Sequence, residues 1–364
     1  MKWRIKLKYS MMILSIFTFA LLLPCGSPAQ RPPADTSHLK QESKANPQRI
    51  PKSTNRIVMG WNAFGTTDTY IEQSSISPTL NVVSPKWFKL DANQLVISEA
   101  DARYVEWAHD SGKQVWPLFG NTFDPDVTNA ILSDPIKSKK TINRLRDILV
   151  QNDIDGINVD FENMDMKNKA DYVNFIRLLK AALQPHGMLV SVDVSRENPD
   201  PNWSGCFDRR KLGKVADFII MMGYDEDIGG GGHVGSVAPL PWVEKGIQLL
   251  LNDVPARKVM LAIPFYTRDW VTDLNSRKIH RTDLALADVE RIITDKGLVK
   301  KWDPKTKQNY VEYIEGNEKH QIWVEDENSV KLRLDIINKY KLKGTAAWLI
   351  GQDTPEIWQV ISSF

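Results

Sequence analysis

Between residues 155 and 162 the chain reads Asp-Gly-Ile-Asn-Val-Asp-Phe-Glu, and polar and apolar residues alternate over its last six positions. That is the period of a β-strand, with Ile157, Val159 and Phe161 on one side and Asn158, Asp160 and Glu162 on the other. Two carboxyls and an amide on one face can move protons. A desolvated carboxylic acid can protonate a leaving group, and an ionised neighbour can steady positive charge as it develops. Burying carboxylates costs several kcal/mol unless they are hydrogen-bonded or titrate near neutrality, so such a row is seldom kept for packing. A solvent-facing amphipathic strand is the competing reading, and it weakens if both faces of the strand are covered.

The surrounding pattern covers both faces. Short β-rich runs recur at 56–61, 80–84, 114–119, 154–162, 188–193, 217–223, 258–264 and 344–349. Between them lie one-faced helical stretches, such as Ile142, Leu145 and Leu149, or Tyr172, Phe175, Ile176, Leu179 and Leu183. Strand and helix alternate, which calls for parallel strands joined by right-handed crossovers. Eight such units close into an α/β fold of the (β/α)₈ TIM-barrel type, with its site at the C-terminal strand ends. A doubly wound open sheet is the alternative, but no strand leads into a G-x-G-x-x-G or G-x-x-x-x-G-K-[ST] turn. The interval between Pro264 and Gly344 is longer than a barrel connection needs, so a small α+β insertion is expected at about 268–340, with β-prone runs at 310–314 and 321–324.

Composition narrows the class. The 364 residues are 42% hydrophobic and 25% charged, the usage of a globular chain with a sizeable core. Lys and Arg total 47 against 45 Asp and Glu, with no long basic stripe, which makes nucleic acid an unsuitable partner. Lys2, Arg4, Lys6 and Lys8 precede an apolar run from Met11 to Leu23, the order of a secretory signal. Ser27-Pro28-Ala29 offers a cleavage site, so residues 1–29 are expected to be removed and the protein exported to the cell surface or beyond. The rival is a lipoprotein box ending before Cys25, which would anchor the chain to a membrane through that thiol, although Pro24 is out of place in such a box. Residues 30–55, rich in Pro, Ser, Lys and Gln, form a flexible tether, and the folded unit, expected to be a monomer, runs from 56 to 364. Only Cys25 and Cys206 exist, so no disulfide framework is possible; Cys206 reads as a small buried or loop thiol. The six His residues form no ligand cluster, so neither metal nor cofactor is expected. Gly229 to Gly232 lacks the Lys and Ser/Thr of a phosphate cradle and reads as a mobile loop.

The acidic run resembles the fourth-strand signature of glycoside hydrolase family 18, D-G-x-D-x-D-x-E, with Asn158 replacing the first inner acid. Met222-Gly223-Tyr224-Asp225 is similar to the family's M-x-Y-D, Ala262-Ile263-Pro264-Phe265-Tyr266 to its G-I-P-F-Y, and Ala346-Ala347-Trp348 to the eighth strand whose Trp floors the sugar site. The runs at 81–88, 235–242 and 322–326 are similar to bacterial members related to spore-cortex-lytic N-acetylglucosaminidases. Those relatives often carry LysM wall-binding repeats, which are not found here. The resemblance implies hydrolysis of β-linked N-acetylglucosamine polymers, peptidoglycan first and chitin second, by a retaining mechanism in which the substrate's acetamido group attacks the anomeric carbon. It implies Glu162 as general acid and base, Asp160 as stabiliser of the cyclic intermediate, and Tyr224 as the residue that orients the acetamido group. Asp225, Tyr266, Trp348 and Asn158 would contribute to the sugar site, with Asn158 donating its amide to Asp160. Among the other Trp residues, Trp61, Trp87, Trp116, Trp242 and Trp270 divide between core and sugar stacking. A non-catalytic sugar-binding protein on the same barrel is the alternative function, and the intact Glu162 speaks against it.

Overall fold

The computed structural model describes residues 56–93, 95–226 and 233–364. The signal segment, Cys25, the tether and the Gly229–Gly232 run therefore lie outside the described residues.

The chain forms β1 (Ile57–Asn62), α1 (Thr67–Ser74), β2 (Val82–Asp91), β3 (Leu95–Ser98), α2 (Ala102–Asp110), β4 (Gln114–Val115), β5 (Leu118–Gly120), α3 (Pro125–Leu132), α4 (Pro135–Gln151), β6 (Gly156–Asp160), α5 (Lys169–Leu183), β7 (Leu189–Ser195), α6 (Arg209–Val215), β8 (Phe218–Met222), α7 (Leu240–Leu250) and β9 (Val259–Pro264). There follow β10 (Tyr266–Asp273), β11 (Ile279–Ala285), α8 (Leu286–Asp295), β12 (Lys301–Asp303), β13 (Gln308–Glu315), β14 (Glu318–Val324), α9 (Glu327–Tyr340), β15 (Gly344–Trp348) and α10 (Pro355–Ser362). Parallel pairing runs β1–β2–β5–β6–β7–β8–β9–β15 and returns to β1, which closes an eight-stave barrel. Helices cover it, giving the (β/α)₈ architecture.

Each expected barrel strand is present within a few residues, and the departures have local causes. Pro117 has no N–H to give to a ladder, so the third stave is broken into β4 and β5. Trp87 is an extra residue in β2: Lys86 stands opposite Leu118 and Phe88 opposite Phe119. Beyond this bulge β2 continues past the barrel and pairs antiparallel with β3.

Two apolar layers follow from the strand period. Met59, Trp61, Val82, Trp116, Leu118, Ile220, Met260, Ala262 and Ala346 fill the barrel interior. Ile157, Val159 and Phe161 belong instead to the layer between sheet and helices, where they meet Tyr172, Phe175 and Ile176 of α5. All five residues of the α5 stripe are buried, as are Ile142, Leu145 and Leu149 of α4. Asp124 and Asp134 cap α3 and α4, each with proline in the first turn. Barrel closure depends on Gly344, where a Cβ would lie 2.0 Å from the Ile57 carbonyl oxygen.

The insertion after the seventh stave is an antiparallel sheet in the order β11–β10–β14–β13–β12, with α8 against it. It begins at Tyr266, directly after β9, rather than near 268. It ends at Val324 rather than near 340, because α9 returns to the barrel and packs on β9, β15 and α10.

Candidate active site

At the C-terminal ends of the staves lies a cleft of about 310 Å³ whose walls include Trp61, Lys86, Asp160, Glu162, Asp193, Tyr224, Asp225 and Trp348. Five of these side chains, Trp61, Lys86, Asp160, Asp193 and Trp348, come from five different strands, the arrangement that barrels use to assemble chemistry. Asn158 lies beneath this group, 0% exposed.

Alternation along β6 delivers Asn158, Asp160 and Glu162 to the interior, as the sequence predicts. Glu162 follows the last residue of the strand, and its backbone is pinned by a side chain. Asn121, 1% exposed, accepts a hydrogen bond from Glu162 N at 3.0 Å and donates one to Glu162 O at 2.7 Å. The last β5–β6 pair is Gly120 with Asp160, so the Asn121 carboxamide continues that ladder by one rung beyond the sheet. The Glu162 carboxyl receives no hydrogen bond from a described residue. Burial raises its pKa well above the ordinary value, and the neighbouring charges of Asp160, Asp193 and Asp225 push the same way.

Asn158 departs from expectation. Its Nδ2 donates to Asp193 Oδ1 at 2.8 Å and to Ser191 Oγ at 3.1 Å, while its Oδ1 accepts from Trp61 Nε1 at 2.8 Å. The amide therefore serves Asp193 rather than Asp160, because β7 is the nearer neighbour across the ladder. Asp160 Oδ1 is sealed from solvent and has no hydrogen-bond partner among the described residues. Burial pushes its carboxyl up to about 6, with Lys86 pulling in the opposite direction. Asp193 is raised well above the usual carboxylate range by burial and by Asp160, against the Asn158 hydrogen bond.

Tyr224 stands edge-on to Tyr266, with ring centroids 6.1 Å apart, and burial raises its phenol well above the ordinary value. Tyr266 does not reach the cleft. It is 6% exposed and its hydroxyl donates to Asp225 Oδ1 at 2.6 Å, which makes it a support for Asp225. Arg268 ion-pairs with Asp225 as well, and its Nε reaches Asp283 at 3.0 Å. Asp225 adopts a left-handed backbone, φ 68°. Trp348 lines the cleft and meets Trp61 at 5.8 Å between centroids. The remaining Trp candidates are structural: Trp87 packs on Tyr104, Trp116 stacks on Phe218, Trp242 lies beneath Arg196, and Trp270 donates to the Gly235 carbonyl. Cys206 is buried in a loop, with its thiol on the Asn202 carbonyl.

Asp193, Lys86 and Asn121 were not singled out by sequence. Asp193 carried a usable signal, since Ser191, Asp193 and Ser195 alternate with valines. Lys86 did not, because β2 runs past the expected end of the strand at Ser84.

A closed parallel barrel whose carboxyls and indoles meet in a groove at the C-terminal strand ends has the makeup of a barrel enzyme's active site. Residues 52–353 match the family model Glycosyl hydrolases family 18. The chain belongs to that family of glycosidases. It is 26% identical over 308 residues to the uncharacterised glycosylase YvbX of Bacillus subtilis (strain 168), covering 82% of this chain and 88% of that protein. Its fold is similar to that of the spore cortex-lytic enzyme SleL of Bacillus megaterium QM B1551 (TM-score 0.76, 21% identity, 86% of this chain and 75% of that one). It is equally similar to a chitinase from Chromobacterium violaceum ATCC 12472 (TM-score 0.76, 22% identity, 85% and 98%).

Proposed function

We propose that the protein is an exported retaining hydrolase of β-linked N-acetylglucosamine polymers, acting on peptidoglycan or spore-cortex glycan first and chitin second. The observation that carries this reading is the unequal commitment of the cleft's acids. Asp225 is held by Arg268 and Tyr266, and Asp193 by Asn158. Asp160 Oδ1 and the Glu162 carboxyl are left without a donor among the described residues, and Glu162, just past the end of its strand, is raised well above its ordinary value by burial and by the charges of Asp160, Asp193 and Asp225. A site in which Glu162 is free to act as the acid and its neighbour Asp160 is free to receive an amide N–H suits a reaction in which the nucleophilic carboxylate is replaced by the substrate's own amide.

In that reaction Glu162 protonates the glycosidic oxygen while the acetamido oxygen attacks the anomeric carbon, so the glycosidic bond breaks as a cyclic oxazolinium-like species forms. Ionised Asp160 accepts the acetamido N–H and steadies the positive charge, Tyr224 orients the amide, and Trp348 floors the sugar. Water activated by the Glu162 carboxylate then opens the ring from the side the leaving group vacated, which retains the anomeric configuration. The signal-like residues 1–29 support export, with lipidation at Cys25 as the anchored variant of it.

Wild type and Glu162→Gln are compared on peptidoglycan glycan strands, cortex fragments and chitin oligomers, with products identified by mass. Loss of about 10³-fold in turnover, with glycan binding retained, is expected for the variant. Equal turnover by both proteins, or sugar binding without turnover by either, overturns the reading in favour of a different acid or a binding protein.

A further inference from the structure

We propose that Lys86 is a positioning residue of this site, the cation that supplies the counter-charge for Asp160 while the substrate's amide cyclises. The inference rests on the reaction proposed above for its role in turnover, but the juxtaposition behind it does not. Val82, Ser84 and Lys86 share the inward face of β2, and Val82 packs in the barrel interior. The bulge at Trp87 then puts two consecutive rings, Trp87 and Phe88, into the outer layer, and Lys86 and Lys89 both line the cleft. Bulges of this kind re-aim side chains at the rims of barrels.

The two lysines differ in what holds them. Lys89 Nζ meets Glu99 at 3.4 Å. Lys86 has no hydrogen bond or ion pair at contact distance among the described residues, although it is half-buried at the mouth of a barrel. It shares the wall of the cleft with Asp160 and Glu162, two strands away, and its charge opposes the effect of burial on both.

Asp160 needs such a partner. The Asn158 amide is spent on Asp193, and Oδ1 of Asp160 is buried without a donor. The other groups around it do not supply positive charge. Glu162 on the same segment, Asp193 from β7 and Asp225 after β8 are acids, while Tyr224 and Tyr172 are phenols held neutral by burial. Arg268 is occupied by Asp225 and Asp283. Among the described residues, a cation at Lys86 is thus the means of keeping Asp160 ionised when a sugar closes the cleft and removes water, which strengthens the interaction further.

The test uses full-length wild type, Lys86→Met and Lys86→Arg, with Asp160→Asn identifying the Asp160 signal in a carboxyl ¹³C NMR titration. The expected result is a midpoint for Asp160 that is higher by roughly one unit or more in Lys86→Met and restored in Lys86→Arg. In pH–rate profiles both limbs of the bell should move to higher pH in Lys86→Met, since Asp160 sets the acidic limb and Glu162 the basic one. Unchanged midpoints overturn the proposal whatever the kinetics show, as does a Lys86→Arg protein that behaves like Lys86→Met. A shifted titration in a protein that cleaves no glycan leaves Lys86 in its electrostatic role and refutes the proposed reaction instead, so the two failures are separable. Matching thermal unfolding of the three proteins is the control for a folding defect.

Discussion

Two buried groups of carboxyls, one in the cleft and one where the insertion meets the barrel, are treated in opposite ways. At the junction, Glu325 is 2% exposed, and its carboxylate receives Arg333 Nη2 at 2.8 Å, Gln308 Nε2 at 2.7 Å and Ser329 Oγ at 2.7 Å. Ser236 in turn bonds Gln308, and Arg333 reaches the Ala238 carbonyl, so the insertion, α9 and the segment after β8 are tied together. In the cleft, Asp160 Oδ1 and the Glu162 carboxyl receive nothing from the described residues. Burial raises Glu325 too, but there three donors pull the other way. The difference separates structure from function: a carboxylate saturated with protein donors holds elements together, and one left under-coordinated is reserved for something that arrives later.

The strongest way to break this contrast is to remove a donor from the saturated side. Arg333→Met should leave Glu325 buried without its cation and lower stability by about 3–5 kcal/mol in denaturant unfolding, with the double variant Arg333→Met/Glu325→Gln recovering most of the loss. A change below about 1 kcal/mol in the single variant would mean that the Gln308 and Ser329 bonds suffice, and that saturation is not what distinguishes the junction.

A smaller effect sharpens the other side. The cleft leaves the Glu162 carboxyl free while its backbone is fully occupied by Asn121, which suggests that the acid's position, not its hydrogen bonding, is what the fold fixes. Asn121→Ala should lower kcat by about 10-fold on a glycan substrate with KM little changed, because a displaced acid harms proton transfer more than sugar binding. A parallel rise in KM with unchanged kcat would assign Asn121 to the sugar-binding wall.

How much of this could be read from sequence follows the same division. The row on β6 was legible because strand period alone decides which side chains share a face, and the helix stripes of α4 and α5 were legible for the same reason. Lys86 was hidden because the strand was expected to end at Ser84, whereas the alternation of Val82, Ser84 and Lys86 runs on to the bulge at Trp87. Asn121 was hidden because a side chain that replaces a rung of the ladder leaves no periodic trace. The partner of Asn158 was misjudged for a third reason. Along a strand the nearest polar residue in sequence is Asp160, but across a parallel ladder the nearest is on β7, where Asn158 pairs with Ser191. The end of the insertion was misplaced because α9 has the same amphipathic pattern whether it covers the insertion or the barrel.

The least conspicuous test concerns Asp193, which belongs to the cleft but has one protein donor, and so lies between the two extremes. Its folded-state pKa is raised above that of the unfolded chain. The stability it contributes is therefore complete at pH below the unfolded value near 4 and is lost as pH rises through the folded one, since the unfolded state releases that proton first. Asp193→Asn keeps an acceptor for the Asn158 amide and removes the charge. The variant should match wild type in unfolding free energy near pH 4 and exceed it by on the order of 1 kcal/mol at pH 8. If the two curves stay parallel across that range, Asp193 carries the same charge in both states and behaves like a saturated carboxylate. If they diverge, a residue that loosens the fold at neutral pH has been kept beside Asp160, where its negative charge raises Glu162 as well. Instability of that kind is what a site held ready for proton transfer is expected to show.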